Sequence, residues 1–120
     1  MAMEQDGITF FGHLDTPLPP EELASALARE GIPAKMRESS HYAGGRYLRI
    51  HPGGPADLSL ERTRGGEYIV RADADEDEAL ADAARRVSVA LGRQGIRHRF
   101  ELYGPGEAGM EYLHHDWPAP

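Results

Sequence analysis

Imidazole and carboxylate carry the widest chemistry available to this chain, because histidine binds metals and transfers protons near neutral pH and a carboxylate can orient it. Six histidines are present. None sits in a His-Glu-x-x-His helix or another compact ligand spacing, and His114 and His115, adjacent on an extended chain, point to opposite faces. The expectation is therefore no metal centre. His98 shares strand parity with Ile96 and Phe100 and reads as a hydrogen-bonded core residue. His13 is more suggestive, since it closes an extended segment two residues before Asp15, where a side chain can face a ligand cleft.

Other motifs exclude more than they suggest. The run Asp73-Ala74-Asp75-Glu76-Asp77-Glu78 has acids at alternate positions, as a calcium loop does, but Glu78 stands where the sixth-position glycine is required and Ala84 where the twelfth-position glutamate is required. Those acids suit the positive N-terminal end of a helix instead. The glycine pairs Gly44-Gly45, Gly53-Gly54 and Gly65-Gly66 have neither Walker spacing nor Gly-x-Gly-x-x-Gly, and read as turns. No Gly-x-Ser-x-Gly elbow is present to expose a nucleophile. No catalytic residue is assigned; an enzyme pairing His13 with Asp15 or Glu101 is the least supported reading.

Elements must position whatever these residues do. Residues 8–14 alternate as a strand, with Phe10 and Leu14 on one face and Thr9, Phe11 and His13 on the other. Three prolines between Thr16 and Glu21 end the ladder, and a helix starts near Pro20, carrying Leu23 and Leu27 one turn apart and stopping at Gly31. Residues 32–38 are extended, and residues 39–45 form a loop. Arg46 to His51, Asp57 to Thr63 and Glu67 to Asp73 are hairpin strands between the glycine pairs. Leu80, Ala84, Val87 and Leu91 mark a long helix from Asp75 to Gln94. Ile96 to Tyr103 alternates as a strand, Met110 to Leu113 pairs once more, and residues 1–6 and 114–120 are irregular termini.

The segment Ala26-Leu27-Ala28-Arg29-Glu30-Gly31-Ile32 is echoed by Ala90-Leu91-Gly92-Arg93-Gln94-Gly95-Ile96, so two strand–helix–strand halves are expected. The fold class is α+β: a ferredoxin-like two-layer sandwich with two helices on one face of a mostly antiparallel sheet and extra hairpin strands. Residues 1–120 form one domain of ordinary size.

The chain lacks cysteine, which excludes thiol redox chemistry and disulfides within it. Its N-terminus has no basic n-region, and no apolar run reaches the roughly 20 residues that cross a bilayer. A cytoplasmic protein off the membrane is expected. With 20 acids against 13 bases, a net charge of -7 disfavours phosphate backbones, and the glycine–aromatic strand signature of RNA-recognition motifs is absent. Nucleic acid is not an expected partner, and no cofactor is expected.

Asp15-Thr16-Pro17, followed by a helix ending Leu27-Ala28-Arg29-Glu30-Gly31-Ile32, resembles the opening of ACT regulatory domains. That resemblance implies a ferredoxin-like fold and amino-acid binding at subunit interfaces.

Strand parity leaves one sheet face free of helices, bearing Phe11, His13, Tyr47, Arg49, His51, Arg97, Arg99 and Tyr103, with Asp15 at its margin. Aromatic and arginine side chains give large contact area and forked hydrogen bonding, which suits a protein interface. The expected function is a non-catalytic interaction module, inhibitor-like or immunity-like, that binds a protein partner or itself. The alternative is a dimeric small-molecule-binding regulatory domain with His13 and Asp15 near its cleft.

Overall fold

The computed structural model describes residues 9–39, 45–63, 65–73, 77–104 and 110–118, excluding the side chains of Asp73 and Met110. The expected irregular residues 1–6, the tip of the 39–45 loop and the middle of the acidic run before the long helix lie outside them. In chain order the elements are β1 (Thr9–Leu14), α1 (Pro20–Arg29), β2 (Ala34–Glu38), β3 (Arg46–Ile50), β4 (Asp57–Arg62), β5 (Tyr68–Asp73), α2 (Asp77–Arg93), β6 (His98–Tyr103) and β7 (Met110–His115). The chain is thus α+β, with two helices and a seven-stranded sheet in the order β2-β3-β4-β5-β1-β6-β7, antiparallel at every junction.

Both helices end by the same device. Gly31 has φ +78° and Gly95 φ +71°, a left-handed conformation that a Cβ disfavours. In α1 the Ile32 and Gly31 N–H groups donate back to the Leu27 and Ala28 carbonyls; in α2 those of Ile96 and Gly95 donate to Leu91 and Gly92. This is the Schellman pairing, and it explains the repeated Gly-Ile that the sequence displays. At the other end of α1, Pro20 occupies the first turn without wasting a donor, and Glu21 and Glu22 face its positive pole.

The apolar residues of one sheet face and both helices form a single buried cluster, including Leu14, Leu23, Leu27, Leu58, Leu91 and Phe100. Gly12 belongs to this face and lets strands close: a Cβ there would lie 2.6 Å from Val70 Cβ and 2.9 Å from the Phe10 ring. Phe10 accordingly sits edge-on to Phe100 at 5.4 Å between centroids.

One expectation changes. His114 and His115 are not part of an irregular tail but rungs of β7, opposite Arg99 and His98, because the β6 register continues to supply partners to the end of that strand. The β1–β5 ladder is shorter than either strand, running only from Gly12↔Val70 to Leu14↔Tyr68, so the sheet parts at Phe11 and Arg71.

Candidate functional site

The helix-free face is built from odd-numbered positions of β1, β5 and β6. Phe11 lies opposite Glu101 in the β1–β6 ladder, and His13 opposite both Arg99 and Ile69. Phe11 is 57% exposed and Tyr103 and Ile69 each 40%, unusual for large apolar side chains packed so near one another. Phe11 and Tyr103 meet edge to face with centroids 6.0 Å apart. The Tyr103 hydroxyl donates to Glu101 Oε1 at 2.6 Å, and that bond to a carboxylate raises the phenol's pKa above its ordinary value. Where β1 and β5 part, a groove of about 350 Å³ opens, lined by Phe11, His13, Ile69, Arg71 and Arg99.

Beside this groove lies a residue that strand parity did not select. After β7, Asp116 adopts φ +57°, a turn conformation that Asp tolerates, and reverses the chain. The turn is pinned by Arg97 Nε, which donates to the Asp116 carbonyl at 2.9 Å, and by the Tyr112 hydroxyl, which donates to the Pro118 carbonyl at 2.8 Å. Trp117 is thereby laid on the face, its ring 4.3 Å from the Arg97 guanidinium, 5.2 Å from that of Arg99 and 5.3 Å from the His13 ring. The only signal in the sequence was that the chain's single tryptophan falls in the proline-flanked end of the chain.

Carboxylates hold the arginines and His13 in place. Arg97 Nη1 donates to Asp15 Oδ2 at 2.6 Å, Arg99 Nη1 lies 3.3 Å from Glu101 Oε2, Arg71 Nη1 donates to Glu61 Oε1 at 2.8 Å, and His13 Nε2 lies 3.1 Å from Glu67 Oε1. His13 and Asp15 therefore engage separate partners, and no hydrogen bond joins either of the pairs proposed for catalysis among the described residues.

The expected site divides in two. Phe11, His13, Asp15, Arg97, Arg99 and Tyr103 belong to β1, β6 and their flanks, with His13, Arg97 and Arg99 against Trp117, whereas Tyr47, Arg49 and His51 belong to β3 and its exit. Three strand positions separate β3 from β1, about 14 Å. In the second group Asp57 is the hub: Arg49 Nη2 and Nε reach its Oδ2 at 3.0 and 3.3 Å, and His51 Nδ1 its Oδ1 at 3.1 Å. Partial burial pushes the Asp57 carboxyl up, but the hydrogen bonds from Arg49 and His51 outweigh it and leave the pKa below the ordinary value.

On the opposite face, His98 is fully buried. Its Nδ1–H donates to the Ile96 carbonyl at 2.9 Å, which leaves Nε2 to accept from the Ser88 hydroxyl at 2.7 Å. This has the outline of a serine–histidine pair, but exposures of 0% and 9% leave a substrate no approach. Burial lowers the His98 pKa, keeping the ring neutral in the core. Among the described residues no group of three His, Asp or Glu side chains is arranged to hold a metal ion. No helix among them is long and apolar enough to cross a membrane.

Scans of protein-family models, curated proteins and solved structures return no match to this chain. The ACT-like opening is thus supported by no relative. Within this fold, the Asp15 of that opening is tied to Arg97 through both its side chain and its backbone N–H.

Proposed function

We propose that the chain is a non-catalytic protein-interaction module, inhibitor-like or immunity-like, whose docking surface is the helix-free sheet face around Trp117. The observation that carries this reading is the Arg97–Trp117–Arg99 stack standing beside the exposed Phe11–Tyr103 pair. Tryptophan, tyrosine and arginine dominate the energetics of protein interfaces, and here the long side chains are already immobilised by Asp15, Glu101 and the tryptophan ring, so little rotamer entropy remains to be lost on docking. We further read the quartet β4-β5-β1-β6 as a ferredoxin-like two-layer unit with the β2–β3 hairpin added at one edge. The support is that β1 lies between β5 and β6, the strands that α2 joins. Such a unit would keep its helices behind the sheet and leave the other face to a partner.

The test is affinity capture from the source cells with three baits: the wild-type chain, an Arg97→Ala/Arg99→Ala/Trp117→Ala variant, and a Val89→Ala variant of the exposed face of α2. A protein retained by wild type and Val89→Ala and lost at least tenfold by the triple variant supports the reading. Equal retention by all three refutes it.

The dimeric ligand-binding alternative draws on one observation, the groove of about 350 Å³ beside Phe11, which falls within the usual range for small-molecule pockets. Native mass spectrometry separates the two, since that alternative requires a dimer carrying a fixed extra mass.

A further inference from the structure

The sheet ends on β2 at one side and β7 at the other. A free strand edge is a template for a further strand, and charged side chains are the usual guard against it. When two copies of one strand pair antiparallel about a two-fold axis, the residue at the axis meets its own copy and the residues flanking it meet each other in symmetric pairs. On β2 every central register then sets base against base: an axis at Lys35 or at Arg37 opposes that residue to itself, and an axis at Met36 opposes Lys35 to Arg37. Both bases are exposed, so β2 is an edge closed to its own copy. β7, with the sequence Met110-Glu111-Tyr112-Leu113-His114-His115, contains neither lysine nor arginine.

We propose that β7 is a self-association edge, pairing antiparallel with β7 of a second copy about a two-fold axis at Leu113. In that register Glu111 meets His115 of the other copy, Tyr112 meets its His114, and the two leucines meet at the axis. Glu111 and His115 both lie on the helix side of the sheet, where Arg85 donates to the two Glu111 oxygens at 2.8 Å and the His115 ring lies against Gly92. Arg85 takes two of the roughly four lone-pair sites of that carboxylate and leaves the others for an imidazole N–H. The His115 ring, stacked on His98 at 6.5 Å between centroids, makes no hydrogen bond with a described residue, so the second copy supplies the acceptor it lacks. The neighbouring registers are poorer, since an axis at Tyr112 sets Glu111 against Leu113 and an axis at Glu111 sets two carboxylates together. The end of the chain turns away from this edge, with Trp117 folded back over Arg97, Arg99 and His13. Pairing by edges covers neither face of the sheet, so this dimer is independent of the Trp117 surface, and it carries no added mass.

The experiment is sedimentation velocity on the full chain over a concentration series reaching about 1 mM, with disulfide trapping as a second readout in a chain that has no cysteine of its own. A reversible dimer is expected, weakened about tenfold or more in His115→Ala, which removes two symmetry-related bonds to a carboxylate, and unchanged in Lys35→Ala on the opposite edge. Under mild oxidation Leu113→Cys, whose two Cα atoms the axis brings to about 4.5–5.5 Å, should form an intermolecular disulfide at least tenfold faster than Lys35→Cys. A mixture of Tyr112→Cys and His114→Cys chains should cross-link faster than either variant alone, because only the unlike chains bring their thiols opposite each other. A monomer at every concentration, a dimer indifferent to His115→Ala, equal trapping at positions 113 and 35, or faster trapping of Tyr112→Cys alone than of the mixture overturns the proposal.

Discussion

His98 and Ser88 illustrate how a single polar pair can be structural while having the atoms of a catalytic one. The buried ring is neutral, and the unfolded chain takes up a proton near the ordinary histidine pKa of 6.5. Because burial lowers the folded-state pKa, the unfolded state binds more protons once the pH falls below that value, so His98 makes the fold progressively less stable from about pH 6.5 downward. Urea unfolding at pH 7.5 and 5.5 should show this loss in the wild type and a smaller loss in His98→Gln; identical slopes would contradict it. Ser88→Ala leaves Nε2 without its donor in the core and should cost about 1–3 kcal/mol at neutral pH. That His98 is a core residue was legible from its alternation with Ile96 and Phe100. Its partner was not, because Ser88 is on a helix and only packing brings the two together. Trp117 was missed for a related reason: the left-handed Asp116 that folds it back has no signature in hydrophobic periodicity.

At the scale of elements, the repeated helix ending makes a paired prediction. Gly95→Ala should destabilise the chain by about 1–2 kcal/mol, since the substitution forces a Cβ into the left-handed region although open space surrounds it. Gly12→Ala has no such backbone strain but collides with Val70 and Phe10, and overpacking in a core of this kind costs about 1–3 kcal/mol. The mutants should therefore be told apart by a second change: Val70→Gly, which removes the Cβ that the new methyl meets, should cost less in the Gly12→Ala background than in the Gly95→Ala background. Denaturant midpoints of the four proteins measure it. The glycine pairs, the alternation of each strand and the leucine stripes made nearly all elements readable to within a few residues. Strand order was not readable, because periodicity reports which face a residue takes but not which strand lies beside it. Nothing in β1 itself states that it is inserted between β5 and β6.

On the scale of the molecule, an overall charge of -7 coexists with a sheet face on which Arg49, Arg71, Arg97 and Arg99 are each held by a carboxylate. Such a face is locally balanced, so its recognition should rest on shape and desolvated stacking more than on long-range attraction. Raising the salt from 50 to 300 mM should then weaken partner binding only modestly, by less than about tenfold, whereas an interface driven by exposed charge would lose more across the same change in screening. The division of the anticipated nine-residue site into two groups also belongs to this scale. Residues from distant parts of the chain shared a face as parity required, but the strands between them set how far apart they stand.

The most direct measurement of the central claim is site-specific photo-crosslinking in the source cells, with the photoreactive side chain placed at Phe11 in one protein and at the equally exposed Val89 on α2 in another. A discrete heavier adduct from position 11, abolished by Trp117→Ala and absent from position 89, is the result the docking surface requires. An adduct from position 89 alone would place the interface on the helices and contradict it.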